Sequence, residues 1–295
     1  MERSESIVVT ALRWSLQHWP FDRGRGVLLR IGTPLLRQRP LTCQLEAGVL
    51  IQGDPDEHQF RYYLAYGLSR DPSFTLARRI VRAGDTVIDV GANVGFWLMG
   101  VARSAGPETA IHAFEAFPPN VSRLQAHLEL NGMTWVRCHA TAVGATPGEA
   151  SFILPPDGNR GVGSLACQGE TSDLKVPVTT LDAFCHEQGI SRVDMLKVDV
   201  EGGELDVFRG AQRLLASPDA PIVMFEVGDG LATRFGSTSG EAKRFLEASG
   251  YTVFRFDGAK LRKVEASEAH PVSEDLFAAR ASHARERPLL QGLVE

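Results

Sequence analysis

Thr86-Val-Ile-Asp-Val-Gly-Ala-Asn-Val-Gly95 reads as an apolar strand running directly into a glycine turn, with a helix expected over residues 96–105. Gly91 and Gly95 carry no side chain, so such a turn lets a ligand approach the backbone closely. The spacing is not the dinucleotide fingerprint G-x-G-x-x-G, because Asn93 stands at the second glycine position. Asp89 closes the strand. A carboxylate there repels phosphate but favours an ammonium or sulfonium group.

Twenty residues beyond Gly95, Ala110-Ile-His-Ala-Phe-Glu115 forms a second candidate strand that also ends in an acid. In nucleoside-binding α/β folds an acid at this place accepts hydrogen bonds from the ribose hydroxyls. Glu115 therefore indicates a nucleoside without choosing between cofactors. Together with Asp89 it points to a cationic nucleoside lacking phosphate, S-adenosylmethionine, and so to methyl transfer. An NAD(P)-dependent reductase is the rival enzyme. Asn93 weighs against it, as does the lack of a Tyr-x-x-x-Lys pair at any of Tyr62, Tyr63, Tyr66 and Tyr251. A non-catalytic cofactor-binding scaffold subunit is the rival from another class.

Outward from this unit, strands and helices alternate. Helices are expected over 118–130, 181–189, 204–216 and 241–249, and strands over 135–143, 193–200 and 221–227. A closing antiparallel hairpin is expected from 251–256 and 260–264. This pattern predicts an α/β domain with a mostly parallel sheet covered by helices on both faces. Residues 1–60, rich in arginine, proline and glycine, read as an N-terminal extension with helical pieces; 61–265 is the main domain. Residues 266–295 read as a polar tail, poorly ordered or used as a docking arm. The stretch 148–176 breaks the alternation with the turn-rich Pro155-Pro-Asp-Gly-Asn-Arg-Gly-Val-Gly163, expected to be a mobile substrate loop.

Composition narrows the partners. Hydrophobic residues make up 43% and charged residues 23%, as in an ordinary globular chain, and the net charge of −5 gives no reason to expect nucleic acid. Cys43, Cys138, Cys167 and Cys185 lack C-x-x-C spacing, which fits reduced thiols in a cytoplasmic protein. No apolar run reaches the roughly 18 residues of a membrane span. The partly apolar stretch 7–19 has no small-residue cleavage site, so no signal peptide is expected; it suits packing on the core, or an amphipathic helix on a membrane or partner. The histidines show no ligand spacing. A homo-oligomer stays open.

The sharpest anomaly is Asp194-Met-Leu-Lys-Val-Asp-Val-Glu-Gly202. A central parallel strand should be apolar on both faces, yet Lys197, Asp199 and Glu201 alternate along it and would share one side. Such charges are costly to bury unless they pair or serve a site. The neighbouring strand Ile222-Val-Met-Phe-Glu226 also ends in an acid. Asp199 and Glu226 at adjacent strand ends could hold a divalent cation such as Mg²⁺ through oxygen; equally, Glu226 could accept hydrogen bonds from a loop or substrate. Asp199 is the candidate base or orienter for an acceptor hydroxyl, and Lys197 either stabilises the alkoxide or sets the carboxylate's protonation.

These stretches resemble the FkbM-type methyltransferase family. The similar elements are Val87-Ile-Asp-Val-Gly-Ala-Asn-Val-Gly95, Ala113-Phe-Glu-Ala-Phe-Pro-Pro-Asn120, Leu181-Asp182, Leu196-Lys-Val-Asp-Val-Glu-Gly202 with Glu204-Leu205 and Gly210-Ala211, and Phe225-Glu226. The resemblance covers about 60–256. It implies the class I, Rossmann-like methyltransferase fold and O-methylation of a small-molecule, natural-product or saccharide hydroxyl. Carried onto this sequence, it implies that Asp89, Gly91, Asn93 and Gly95 hold the methionine part of S-adenosylmethionine and that Glu115 binds the ribose. Phe117 would flank the adenine, Ala142 and Val143 would line its pocket, and Lys197, Asp199 and Glu201 would face the acceptor.

Overall fold

The computed structural model describes residues 11, 14–15, 40–54, 56–154, 163–167 and 169–291. The stretch 7–19, almost entirely, and most of the turn-rich segment 155–163 lie outside the described residues.

The chain enters through a hairpin, β1 (Leu41–Gln44) and β2 (Leu50–Gly53), then two helices, α1 (His58–Tyr66) and α2 (Pro72–Ile80). The main sheet begins with β3 (Thr86–Val90), α3 (Phe96–Ala105), β4 (Ala110–Phe114), α4 (Pro118–Leu130) and β5 (Val136–His139). An inserted sheet comes next: β6 (Ala142–Val143), β7 (Gly148–Ile153), β8 (Ser164–Leu165) and β9 (Lys175–Thr179). The main sheet resumes with α5 (Leu181–Gln188), β10 (Met195–Val198), α6 (Glu204–Arg209), α7 (Gln212–Ala216) and β11 (Ile222–Val227). After α8 (Asp229–Arg234) and α9 (Ser239–Ala248) come β12 (Thr252–Phe256), β13 (Leu261–Lys263), β14 (Glu274–Ala279), α10 (Ala281–Glu286) and α11 (Pro288–Gln291).

The eight-stranded sheet has the order β13-β12-β14-β11-β10-β3-β4-β5, and β5, β4, β3, β10 and β11 run parallel. This is the expected Rossmann-like α/β sheet, and the β12–β13 hairpin closes its edge as read from the sequence. Alternate strand residues face two cores. Val87, Ile111, Met195 and Met224 pack with residues of α1–α4 on one face. Ile88, Phe114, Leu196 and Phe225 pack with α5, α6, α7 and α9 on the other. β3 and β10 are buried on both sides, which is why Asp89 and Lys197 stand out among their otherwise apolar residues.

Four segments differ from the sequence reading. The "tail" supplies β14, which lies between β11 and β12, antiparallel to both. Its short apolar run is too brief to read as a strand alone; pairing on both edges makes it one. Arg280, directly after β14, anchors this part of the chain by donating to the carbonyls of Leu215, Ser217 and Ser249. In the stretch before residue 60, where the sequence suggests helical pieces and much lies outside the described residues, 41–53 form a hairpin. Asn131, just after α4, holds Leu50 of β2 by N–H and C=O bonds of 2.7 Å each.

The strand read over 135–143 divides, its second part joining β9 in the inserted sheet. The helix read over 204–216 breaks at Gly210, which packs so close to the Gly144 carbonyl that a Cβ would collide. No described helix is long and apolar enough to cross a membrane. The four cysteines are free thiols, two of them buried.

Candidate active site

The carboxyl ends of β3, β10 and β11 meet where the sheet order reverses, the usual ligand crevice of an open α/β fold. The backbone N–H groups of Gly91 and Ala92 both donate to the Phe114 carbonyl at 2.9 Å, which curls the chain tightly off β3. Gly91, Asn93 and Gly95 have φ of 82°, 52° and 85°, left-handed conformations that favour glycine and tolerate asparagine. Asp199 N–H donates to Val90 O at 2.9 Å, so β10 ends against this turn.

A cavity of about 980 Å³ opens there, lined among others by Gly91, Asn93, Glu115, Ala142, Val143 and Asp199. Its volume lies at the upper end of small-molecule sites, enough for a nucleoside cofactor and an acceptor together. Glu115 lies on one flank, and its carboxylate accepts from Phe117 N–H at 2.7 Å. Burial pushes this carboxyl up to about 7, against the backbone N–H bonds that favour its charge. The turn itself presents backbone and Asn93 but no cationic side chain. Asp89, the carboxylate from which the sequence reading inferred a sulfonium cofactor, does not stand at the mouth of this turn; it is buried against Lys197.

The opposite flank is acidic. Carboxylate oxygens of Asp199, Glu201 and Glu226 lie within 4.8 Å of one another, a grouping that could hold a hard cation. Burial, then repulsion from Asp199 and Glu204, pushes Glu201 up to about 7. Burial, then Asp199 and Glu201, pushes Glu226 up to about 10, and its Oε2 is buried without a hydrogen-bond partner among the described residues. Burial and mutual repulsion thus bias Glu201 and Glu226 toward their protonated forms.

Behind this wall sits Lys197, 6% exposed, with Nζ 3.0 Å from Asp199 Oδ2 and 3.4 Å from Asp89 Oδ1. Burial opposes its charge, but Asp199, Asp89 and Asp275 outweigh that and hold its pKa above the ordinary value. The ammonium also lies 5.4 Å from the centre of the Trp97 ring.

Of the residues read from sequence, Gly91, Asn93, Glu115, Ala142, Val143, Asp199, Glu201 and Glu226 line one cavity. Four do not. Asp89 and Lys197 form the ion pair behind it; Gly95 turns the chain into α3, where a Cβ would strike Leu124. Phe117 lies behind Phe152, their rings parallel with centroids 5.7 Å apart.

The idea that Lys197, Asp199 and Glu201 share one strand face also needs correction. β10 stops at Val198, and Glu201 adopts φ 60° in a turn held by Glu204, whose Oε1 accepts from Val200 and Gly202. That turn, not strand periodicity, brings Glu201 beside Asp199.

Sequence reading missed Asp275, because its strand reads as tail. It sits opposite Glu226 in the β11–β14 register, and burial followed by Asp199 pushes it up to about 7. His112 and His139, unpaired in the sequence reading, meet across β4 and β5 at 3.1 Å, but neither lines this cavity.

The chain is similar to known methyltransferases. "Methyltransferase 1" of Beauveria bassiana is 27% identical over 191 residues, covering 57% of this chain and 72% of the relative. "31-O-demethyl-FK506 methyltransferase FkbM" of Streptomyces tacrolimicus is 26% identical over 220 residues, covering 63% and 82%. Among solved structures, a methyltransferase FkbM from Methylobacillus flagellatus KT aligns with 92% of this chain and 58% of its own, at 13% identity and a TM-score of 0.42. The sequence model of the methyltransferase FkbM domain matches residues 89–253, from Asp89 at the end of β3 to Val253 in β12. That span is more than half of the chain and holds every site residue read from the sequence, so this protein belongs to the FkbM methyltransferase family.

Proposed function

We propose that this methyltransferase uses S-adenosylmethionine to methylate a hydroxyl of a small molecule, natural product or saccharide. The observation that carries the reading is the single cavity spanning Glu115 on the nucleoside flank and Asp199, Glu201 and Glu226 on the other, divided by the Gly91 turn. The name of the Streptomyces relative, a 31-O-demethyl-FK506 methyltransferase, supports oxygen as the acceptor atom.

When bound, S-adenosylmethionine would supply an electrophilic methyl group, with a neutral thioether as leaving group for an attacking oxygen. Glu115 holds the ribose hydroxyls, and Asn93 with the turn backbone faces the amino-acid part. Asp199 orients the acceptor hydroxyl and takes its proton, since an alcohol is a poor nucleophile at neutral pH. Lys197 fixes the position of the Asp199 carboxylate by a 3.0 Å hydrogen bond. Most of the acceleration comes from alignment and exclusion of water.

Calorimetric titration with S-adenosylhomocysteine and, in parallel, NADH tests this. The thioether nucleoside binds and Glu115→Ala weakens it; binding of NADH instead would replace the reading with a reductase. The 4.8 Å grouping of carboxylates also favours a second reading, in which Mg²⁺ bound by Asp199, Glu201 and Glu226 activates the hydroxyl.

A further inference from the structure

The inserted sheet places a buried hydroxyl at the edge of the cavity. Ser164 is 3% exposed, lines the cavity, and its Oγ has no hydrogen-bond partner among the described residues. A buried hydroxyl left unpaired is unfavourable, and native structures rarely keep one without a use. Strand pairing and packing fix its position: β8 pairs with β7 so that Ser164 lies opposite Ile153 and Leu165 opposite Phe152. Gly163 passes so close over the Phe152 ring that a Cβ would lie 2.5 Å from it. Phe152 in turn stacks on Phe117 and clusters with Ala142.

The packing around this corner is apolar. Its packed residues are Phe117, Ala142, Phe152 and Val176, with Leu165 against them. The ionisable residues of the other flank, Asp199, Glu201 and Glu226, come from the end of β10, the turn after it and β11, beyond the Gly91 turn. A neutral heteroaromatic base suits the first corner, and the charged amino-acid end and reacting hydroxyl suit the second. Glu115, the ribose ligand in the reading above, stands between them, two residues before Phe117.

We propose that Ser164 recognises the purine edge of the bound nucleoside by a hydrogen bond from or to its hydroxyl, with Phe152 as the apolar wall beside it. The inference rests on the S-adenosylmethionine reading. It makes β7 and β8 part of the cofactor site, where the sequence suggested an acceptor loop. A serine hydroxyl can donate to a ring nitrogen or accept from the exocyclic amine, so either edge atom satisfies it.

The test is calorimetry on wild type and Ser164→Ala with S-adenosylhomocysteine and four analogues: one lacking the exocyclic amine, and three with N1, N3 or N7 replaced by CH. Ser164→Ala weakens S-adenosylhomocysteine about 3- to 10-fold, and one analogue binds both proteins equally because it lacks the atom Ser164 contacts. Thermal unfolding of the unliganded variant matches or exceeds that of wild type, since the deleted hydroxyl had no partner to lose. Unchanged affinity, equal weakening of every analogue, or a less stable unliganded variant would each overturn the assignment. Failure of the wild type to bind S-adenosylhomocysteine would instead remove the cofactor reading, and this inference with it.

Discussion

The Asp199 carbonyl oxygen occupies the space where a side chain on Gly91 would begin. The turn proposed to receive the cofactor and the strand end proposed to present the base are therefore in backbone contact. Asp199 N–H to Val90 O, 2.9 Å, closes the same junction from the other side. The two halves of the proposed site are thereby held to one another by main chain, not by side chains that can rotate. For an in-line displacement, whose rate depends on alignment, that rigidity matters directly.

Gly91→Ala should damage both halves of the site. Its φ of 82° is unfavourable for alanine, and the added methyl would displace Asp199. We expect a loss on the order of 2–4 kcal/mol, read as a Tm lower by about 5–10 °C, together with loss of S-adenosylhomocysteine binding by calorimetry. An unchanged melting curve would show that the junction is looser than described.

Asp199→Asn keeps the shape of the strand end and removes the base. Turnover should fall roughly 10²- to 10⁴-fold while the Kd for S-adenosylhomocysteine stays within about 3-fold, because the ribose and turn contacts lie elsewhere. Comparable losses in both would assign Asp199 to cofactor binding.

Lys197→Met preserves the stem of the side chain but leaves Asp89, Asp199 and Asp275 without their shared cation. Removing one partner of a buried ion pair costs about 3–5 kcal/mol. The penalty should be larger at pH 8 than at pH 5, because Asp275 titrates near 7 and burial also raises Asp89. Urea unfolding at the two pH values measures it. An equal loss at both would argue that Lys197 acts by packing alone.

Glu226→Gln probes the acidic flank. Folding raises this carboxyl from 4.5 to about 10, so between those values the folded state keeps a proton that the unfolded chain releases. Stability contributed by the protonated form is complete below pH 4.5 and declines as pH rises toward 10. Glutamine mimics the protonated acid without titrating. The variant should therefore melt higher than wild type at pH 8 and close to it at pH 5, in thermal scans without ligand.

Chelation separates the two readings of the same carboxylates. With Asp199 as base and no metal, turnover survives dialysis against EDTA and added Mg²⁺ leaves the Tm unchanged. Activity lost on chelation and restored by Mg²⁺, with restoration abolished by Glu201→Gln, would establish the metal-assisted route.

Much of the site was legible because its signals are local. A glycine turn needs particular residues within five positions, and acids at the ends of β4, β10 and β11 violate the apolar pattern of buried strands. Glu201 was found for an incomplete reason. Alternation marked it, but its place beside Asp199 comes from a left-handed turn held by Glu204. Asp275 left no such mark, since Glu274-Asp-Leu-Phe-Ala-Ala279 is short and sits among polar residues.

The sequence by itself determined the alternating α/β architecture, the nucleotide-type turn and the acids that flank it, because periodicity and turn chemistry act over a few residues. The tertiary structure decided what depends on distant partners. Pairing with β11 and β12 made a strand of the supposed tail and carried Asp275 to Lys197. Pairing of β7, β8 and β9 turned the insertion into a wall of the cavity and buried Ser164 in it. Strand pairing between segments far apart in sequence has no local code, because its hydrogen bonds form only once both edges are in place.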